Sequence, residues 1–190
     1  MTSLKSLILN NRSYRRFDES HIISRDDLLE MVDAARLSAS ARNSQALKYF
    51  LSCEQELNDK IFPHLAWAGY LTDWTGPVPG ERPSAYLVQL HDTNLGNNYF
   101  CDHGIAAQSI LLTAVEQGLG GCIIASVKKE ALAEVLQIPD HLKIIQVIAI
   151  GFPAEEVVIE EMQHGDIKYW RDENDVHHVP KRSLDDLIIS

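Results

Sequence analysis

Basic residues are scarce in this 190-residue chain: 17 Lys and Arg face 27 Asp and Glu, a formal charge of −10. So acidic a surface repels phosphate backbones and anionic lipid, which excludes broad nucleic-acid or membrane-surface binding. Cysteine is scarcer still, with Cys53, Cys101 and Cys122 odd in number, far apart and set in apolar contexts. That spacing offers neither a disulfide framework nor a close pair of zinc ligands, and it predicts buried thiols in a reducing compartment. No apolar run approaches the roughly 20 residues of a membrane span, and MTSLKSLILN has too short an apolar core for a secretory signal. A cytoplasmic protein is expected. Also missing are a GxSxG nucleophile turn and a GxxxxGK[ST] phosphate loop. The glycines of Gly118-Leu119-Gly120-Gly121 close a helical pattern and precede a strand, the reverse of the order a dinucleotide fingerprint needs.

What is present suffices for a folded domain. With 45% hydrophobic and 23% charged residues the chain can build a core, and nothing divides residues 1–190 into more than one domain. Ser3 can cap a short helix, and Ser24 with Asp27 opens a second helix running to about Leu37. A strand is predicted around Lys48 to Cys53, a helix interrupted at Pro63 between Glu54 and Leu71, and an irregular loop from Thr72 to Pro83. Ser84 to His91 reads as a strand, Asp102 to Gln117 as a core helix, Cys122 to Ala125 as a strand, Lys128 to Leu136 as a helix and Ile144 to Ile150 as a buried strand. The class is α/β or α+β. From Glu155 onward the chain turns polar yet keeps Tyr169, Trp170 and the terminal Leu184, Leu187, Ile188 and Ile189. Such a tail cannot form a core of its own and must lie across the main body or a partner subunit, which favours a homodimer.

Against the acidic background, Asn11-Arg12-Ser13-Tyr14-Arg15-Arg16-Phe17 concentrates cations. Two arginines beside a serine make an anion clamp, or else a solvated turn whose guanidiniums pair with the surplus carboxylates. The loop Ser38-Ala39-Ser40-Ala41-Arg42-Asn43-Ser44-Gln45 offers small side chains for close backbone approach and amides that both donate and accept. Gly118 and Gly120 are accounted for by a helix stop, whereas Ala125-Ser126, after an apolar strand, could turn backbone donors to a ligand. The adjacent His177 and His178 would point to opposite faces of a strand and read as surface or interface groups, and Asp102 reads as a helix N-cap.

In this order the segments resemble the nitroreductase family of FMN-dependent oxidoreductases. The opening motif falls on Asn11 to Phe17 and the loop motif on Ser38 to Leu47. Further matches are Asp102-His103-Gly104-Ile105-Ala106-Ala107-Gln108, Gly118-Leu119-Gly120, Gly151-Phe152-Pro153 and Pro180-Lys181-Arg182. Asn11, Ala39 and Ala46-Leu47 depart from the family pattern. The resemblance implies an α+β, three-layer fold with a central mixed sheet flanked by helices and a C-terminal tail reaching onto a partner subunit. It implies FMN as cofactor, its phosphate held by Arg12, Ser13 and Arg15 with Lys181 or Arg182. It further implies Ser40 and Asn43 of the other subunit lining the flavin, and Ala125 and Ser126 approaching its edge. The implied activity is electron transfer from NADH or NADPH to nitroaromatics, quinones or similar acceptors by ping-pong exchange, with no catalytic side chain and no metal. An FMN-storing or sensing protein and a flavin-destroying or dehalogenating relative are the alternatives. Trp67, Trp74 and the prolines from Pro77 to Pro83 imply a distinct lid, where acceptor choice would lie.

Overall fold

Serine caps begin the first two helices of the chain. Ser3 Oγ accepts the Ser6 amide at 3.1 Å and opens α1 (Leu4–Asn10). Past the short strand β1 (Phe17–Asp18), Ser24 and Asp27 form a reciprocal capping box at the head of α2 (Arg25–Leu37). β2 (Leu47–Ser52) and α3 (Gln55–Ile61) follow. The helix expected to resume as far as Leu71 does not: Pro63 sits in the single 3-10 turn Phe62–His64, and Leu65 is already extended. The next regular element is β3 (Ala85–Asp92), then α4 (Asp102–Glu116), β4 (Gly120–Ile124), α5 (Lys129–Val135) and β5 (Leu142–Pro153). The polar tail holds β6 (Val157–Glu161), β7 (Trp170–Arg171) and β8 (His177–Lys181). This computed structural model describes residues 3–189.

β5 is the hub of the main sheet. β3 pairs with it from Ala85 opposite Ile150 to Asp92 opposite Leu142, β4 pairs with it from Gly120 opposite Gly151 to Ile124 opposite Val147, and β1 joins at Phe152 and Pro153. β2 pairs with β3 and ends the order. Each of these ladders is antiparallel. β2 returns to β3 and β4 returns to β5 as neighbours of opposite sense, so neither connection is the crossover a parallel pair requires. The strand ladders of the central sheet are thus antiparallel rather than mixed as expected; parallel pairing is found between β6 and β8 of the tail sheet and in the single bridge of Ser13 to Gly121.

Alternation along β3 and β5 feeds two cores. Ala85, Leu87, Ile148 and Ile150 pack with Leu28 and Met31 of α2 and Ile110 of α4. Tyr86, Val88, Val147 and Ala149 pack on the opposite face with Ile61 of α3, Leu132 of α5 and Trp67. The result is α+β in three layers, each wholly buried large apolar side chain contributing about 1.5–3 kcal/mol. The tail lies on this body, Tyr169 packing against the second core, while Leu184, Leu187, Ile188 and Ile189 remain exposed. Of the three thiols only Cys122 is buried, against the expectation for all three; Cys53 is half-buried, and Cys101, at the cap position before α4, is exposed. Among the described residues no helix is long and apolar enough to cross a membrane.

Candidate functional site

The basic segment is fixed by its backbone. Tyr14 donates its amide to Gly121 O at 3.1 Å, and Ser13 bridges to Gly121. The approach is so close that a Cβ on Gly120 would lie 2.5 Å from Tyr14 Cδ2 and 2.8 Å from Pro153 Cγ. Gly118, in the left-handed region, is therefore the helix stop, and Gly120 is kept for packing. Glu155, its side chain 1% exposed, accepts the amides of Arg15 and Arg16 on one oxygen and Arg171 Nη2 at 2.8 Å on the other. A buried carboxylate thus pins the segment by main chain rather than by its arginine side chains.

Those side chains divide. Arg16 pairs with Glu81 at 3.4 Å and Asp175 at 3.2 Å, which is the solvated-turn alternative. Arg12 donates Nη2 to Ile8 O at 2.8 Å, and its Nε is buried without a partner. Arg15 donates Nη1 to Ser13 O at 3.1 Å, lies 3.2 Å from His177 Nε2, and stacks 4.7 Å from the centre of the Tyr169 ring. Among the described residues neither Arg12 nor Arg15 has a carboxylate partner. Both open on a cavity of about 270 Å³ that Ser13, Tyr169, His177 and Lys181 also line. His177, Val179 and Lys181 recur at every second position of β8, so one face of that strand forms the wall. Arg182, one step beyond Lys181, is exposed and is not among the residues lining this cavity.

Arg15 and Tyr169 also line an adjoining cavity of about 230 Å³, whose far wall includes Ala125 and Ser126 just past the end of β4. Ser126 spends its carbonyl on the Ala66 amide at 2.9 Å, tying this wall to the lid that carries Trp67. The segment is anchored: Gly76 lies so close to Trp67 that a Cβ there would fall 2.7 Å from Trp67 Cδ1, and Arg171 lies 4.4 Å over Trp74.

Ser40 and Asn43 stand apart. Ser40 lines a larger cavity of about 660 Å³ between α2, β2 and α4, and Asn43 is exposed on the loop beside it. One chain therefore does not bring these residues to the arginines. Their loop is held by Asp102, 3% exposed, which accepts Ser40 Oγ at 2.7 Å and the Ala41 amide at 2.9 Å. Asp102 is thus a loop anchor and not the N-cap its sequence position suggested; Cys101 occupies the cap position. The anchored turn places Arg42, Asn43 and Gln45 in the left-handed region, a strained conformation for side-chain-bearing residues.

Reading the sequence missed His177 and Tyr169. His177 is fully buried, and burial, then the nearby Arg15, Arg171 and His178 cations, push its pKa down to about 4. His178 faces away, stacked at 3.9 Å on Trp170; burial opposes its charge, but the carboxylates of Glu160 and Asp172, which face its two ring nitrogens as acceptors, hold its pKa up. The alternation of the two histidines was legible, and the signal for His177 was its period-two spacing from Lys181. Burial pushes the thiols of Cys122 and Cys53 up, against a nucleophilic role.

The model of the nitroreductase family matches residues 8–152. An FMN reductase (NADPH) of Bacillus subtilis is 24% identical over 168 residues, spanning 81% of this chain and 67% of the relative. A nitroreductase family protein of Streptococcus pneumoniae superposes with a TM-score of 0.69 at 18% identity, over 85% of this chain and 96% of the other. An FMN-dependent nitroreductase of Clostridium difficile gives a TM-score of 0.63 at 20% identity, over 80% and 89% of the two chains. At these identities the solved structures speak for the fold, and the family match spans both the basic segment and the sheet it packs on. On that ground the chain belongs to the nitroreductase family.

Proposed function

We propose that this protein is a cytoplasmic, homodimeric, FMN-dependent oxidoreductase that takes electrons from NADH or NADPH and delivers them to electron-poor acceptors such as nitroaromatics or quinones. The observation that carries the reading is the pair Arg12 and Arg15, left without carboxylates in a chain of charge −10 and facing one cavity with Lys181. Acidic side chains are abundant enough to quench them, so a dianionic phosphate is the partner this pocket fits. Held by these residues, FMN would supply the hydride- and electron-transfer chemistry that the side chains themselves lack.

The chain's own residues bind and orient. Arg12, Ser13, Arg15 and Lys181 hold the phosphate end, while Ala125 and Ser126 border the neighbouring cavity where the ring system would lie. Ser40 and Asn43 would reach a flavin only from a second copy, and α1 supports such a copy: none of its residues is fully buried within the chain, and it exposes Leu4, Ile8 and Leu9. No side chain need act as an acid or base. The test is the visible spectrum of the protein supplied with FMN, before and after NADPH without oxygen. Rapid bleaching supports the enzyme. A yellow protein that NADPH does not bleach favours the storage alternative, and failure to retain FMN contradicts both.

A further inference from the structure

His177 is a buried polar group that neither the redox chemistry nor the family motifs use. Its Nε2 lies 3.2 Å from Arg15 Nη1, and a guanidinium can only donate, so the imidazole must accept there and carry its proton on Nδ1. The second hydrogen of Nη1 goes to Ser13 O at 3.1 Å, and the guanidinium plane rests on Tyr169. Nη1 is therefore fully used, by a carbonyl on one side and an uncharged imidazole on the other. Among the described residues Nε and Nη2 have no partner, and together they form the edge of a guanidinium that engages two phosphate oxygens at once.

We propose that His177 is a positioning residue for the cofactor phosphate: it fixes the rotation of Arg15 so that the Nε–Nη2 edge faces the cavity. A carboxylate in its place would hold Arg15 equally well but would cancel the charge the phosphate needs. A neutral acceptor orients without neutralising. The proposal rests on the reading that Arg15 grips FMN, and the experiment separates the two.

FMN and riboflavin, which lacks the phosphate, are titrated into the full-length parent and into His177→Gln, His177→Asn and His177→Phe, each also combined with Arg15→Ala. The glutamine amide oxygen reaches the place of Nε2; the asparagine is one carbon too short and phenylalanine has no acceptor. FMN affinity is expected to fall about tenfold in the Asn and Phe variants and to stay within about twofold of the parent in the Gln variant. Riboflavin affinity is expected to stay the same throughout, and the His177 effect to vanish once Arg15 is alanine. If the Phe variant does not fold, the Asn and Gln variants decide. Equal loss of FMN and riboflavin, or a loss that persists without Arg15, overturns the positioning role. So does parental FMN affinity in the Asn variant when Arg15→Ala alone weakens FMN. If Arg15→Ala leaves FMN affinity unchanged, the underlying reading of the arginine pocket fails instead.

Discussion

A guanidinium has five donors and no acceptor, and its surroundings decide where they point. Arg16 spends its charge on Glu81 and Asp175, whereas Arg15 spends one nitrogen on neutral groups and keeps its charge. The neutrality of His177 has a stability cost in acid. Unfolded, it titrates near 6.5; folded, burial and the flanking cations lower that to about 4. Between these values the unfolded chain binds a proton that the folded chain refuses, so the contribution of His177 is complete above pH 6.5 and is lost as pH falls towards 4. His177→Gln keeps an acceptor and does not titrate. Urea midpoints followed across this window should therefore show the parent losing on the order of 2 kcal/mol relative to the variant. Parallel curves would contradict a buried neutral imidazole.

Among elements, the loop anchored by Asp102 has the most to lose. Asp102→Ala leaves the Ser40 hydroxyl and the Ala41 amide without their acceptor, at a cost of about 2 kcal/mol, and frees a turn that holds Arg42, Asn43 and Gln45 in a strained region. Amide exchange in residues 40–45 should rise well above that of α4; unchanged protection would show that the turn holds itself. What was legible at this scale was local. Serine three residues before an acid or an apolar stripe marks a cap, and Gly118 marks a stop, because those signals act within one turn. Pro63 was visible as an interruption, but that the helix does not resume beyond it goes with Trp67 packing into the second core. The site divided the same way. Arg12, Ser13 and Arg15 announce themselves as a cluster, while the grip of Glu155 on Arg15, 140 residues away, and of His177 on the same arginine, 162 residues away, exists only after folding.

For the molecule as a whole, the apolar residues left outside are the clearest statement. Leu4, Ile8 and Leu9 of α1 are 64%, 44% and 51% exposed, and Leu184, Leu187, Ile188 and Ile189 lie open at the other end of the chain. The formal charge of −10 does not cover these patches; a second copy would cover them while bringing Ser40 and Asn43 to the arginine pocket. Sedimentation is expected to give two copies. Ile8→Glu should shift the equilibrium towards one and release FMN on dilution; a parent that sediments singly at every concentration would refute the shared pocket.

The most direct measurement is a crystal structure of the protein with FMN. The account predicts the phosphate within hydrogen-bond distance of Arg12, Ser13 and Arg15, with Lys181 beside it and His177 still accepting from Arg15 Nη1. A structure with FMN elsewhere, and with Arg12 and Arg15 turned onto neighbouring carboxylates, would contradict it.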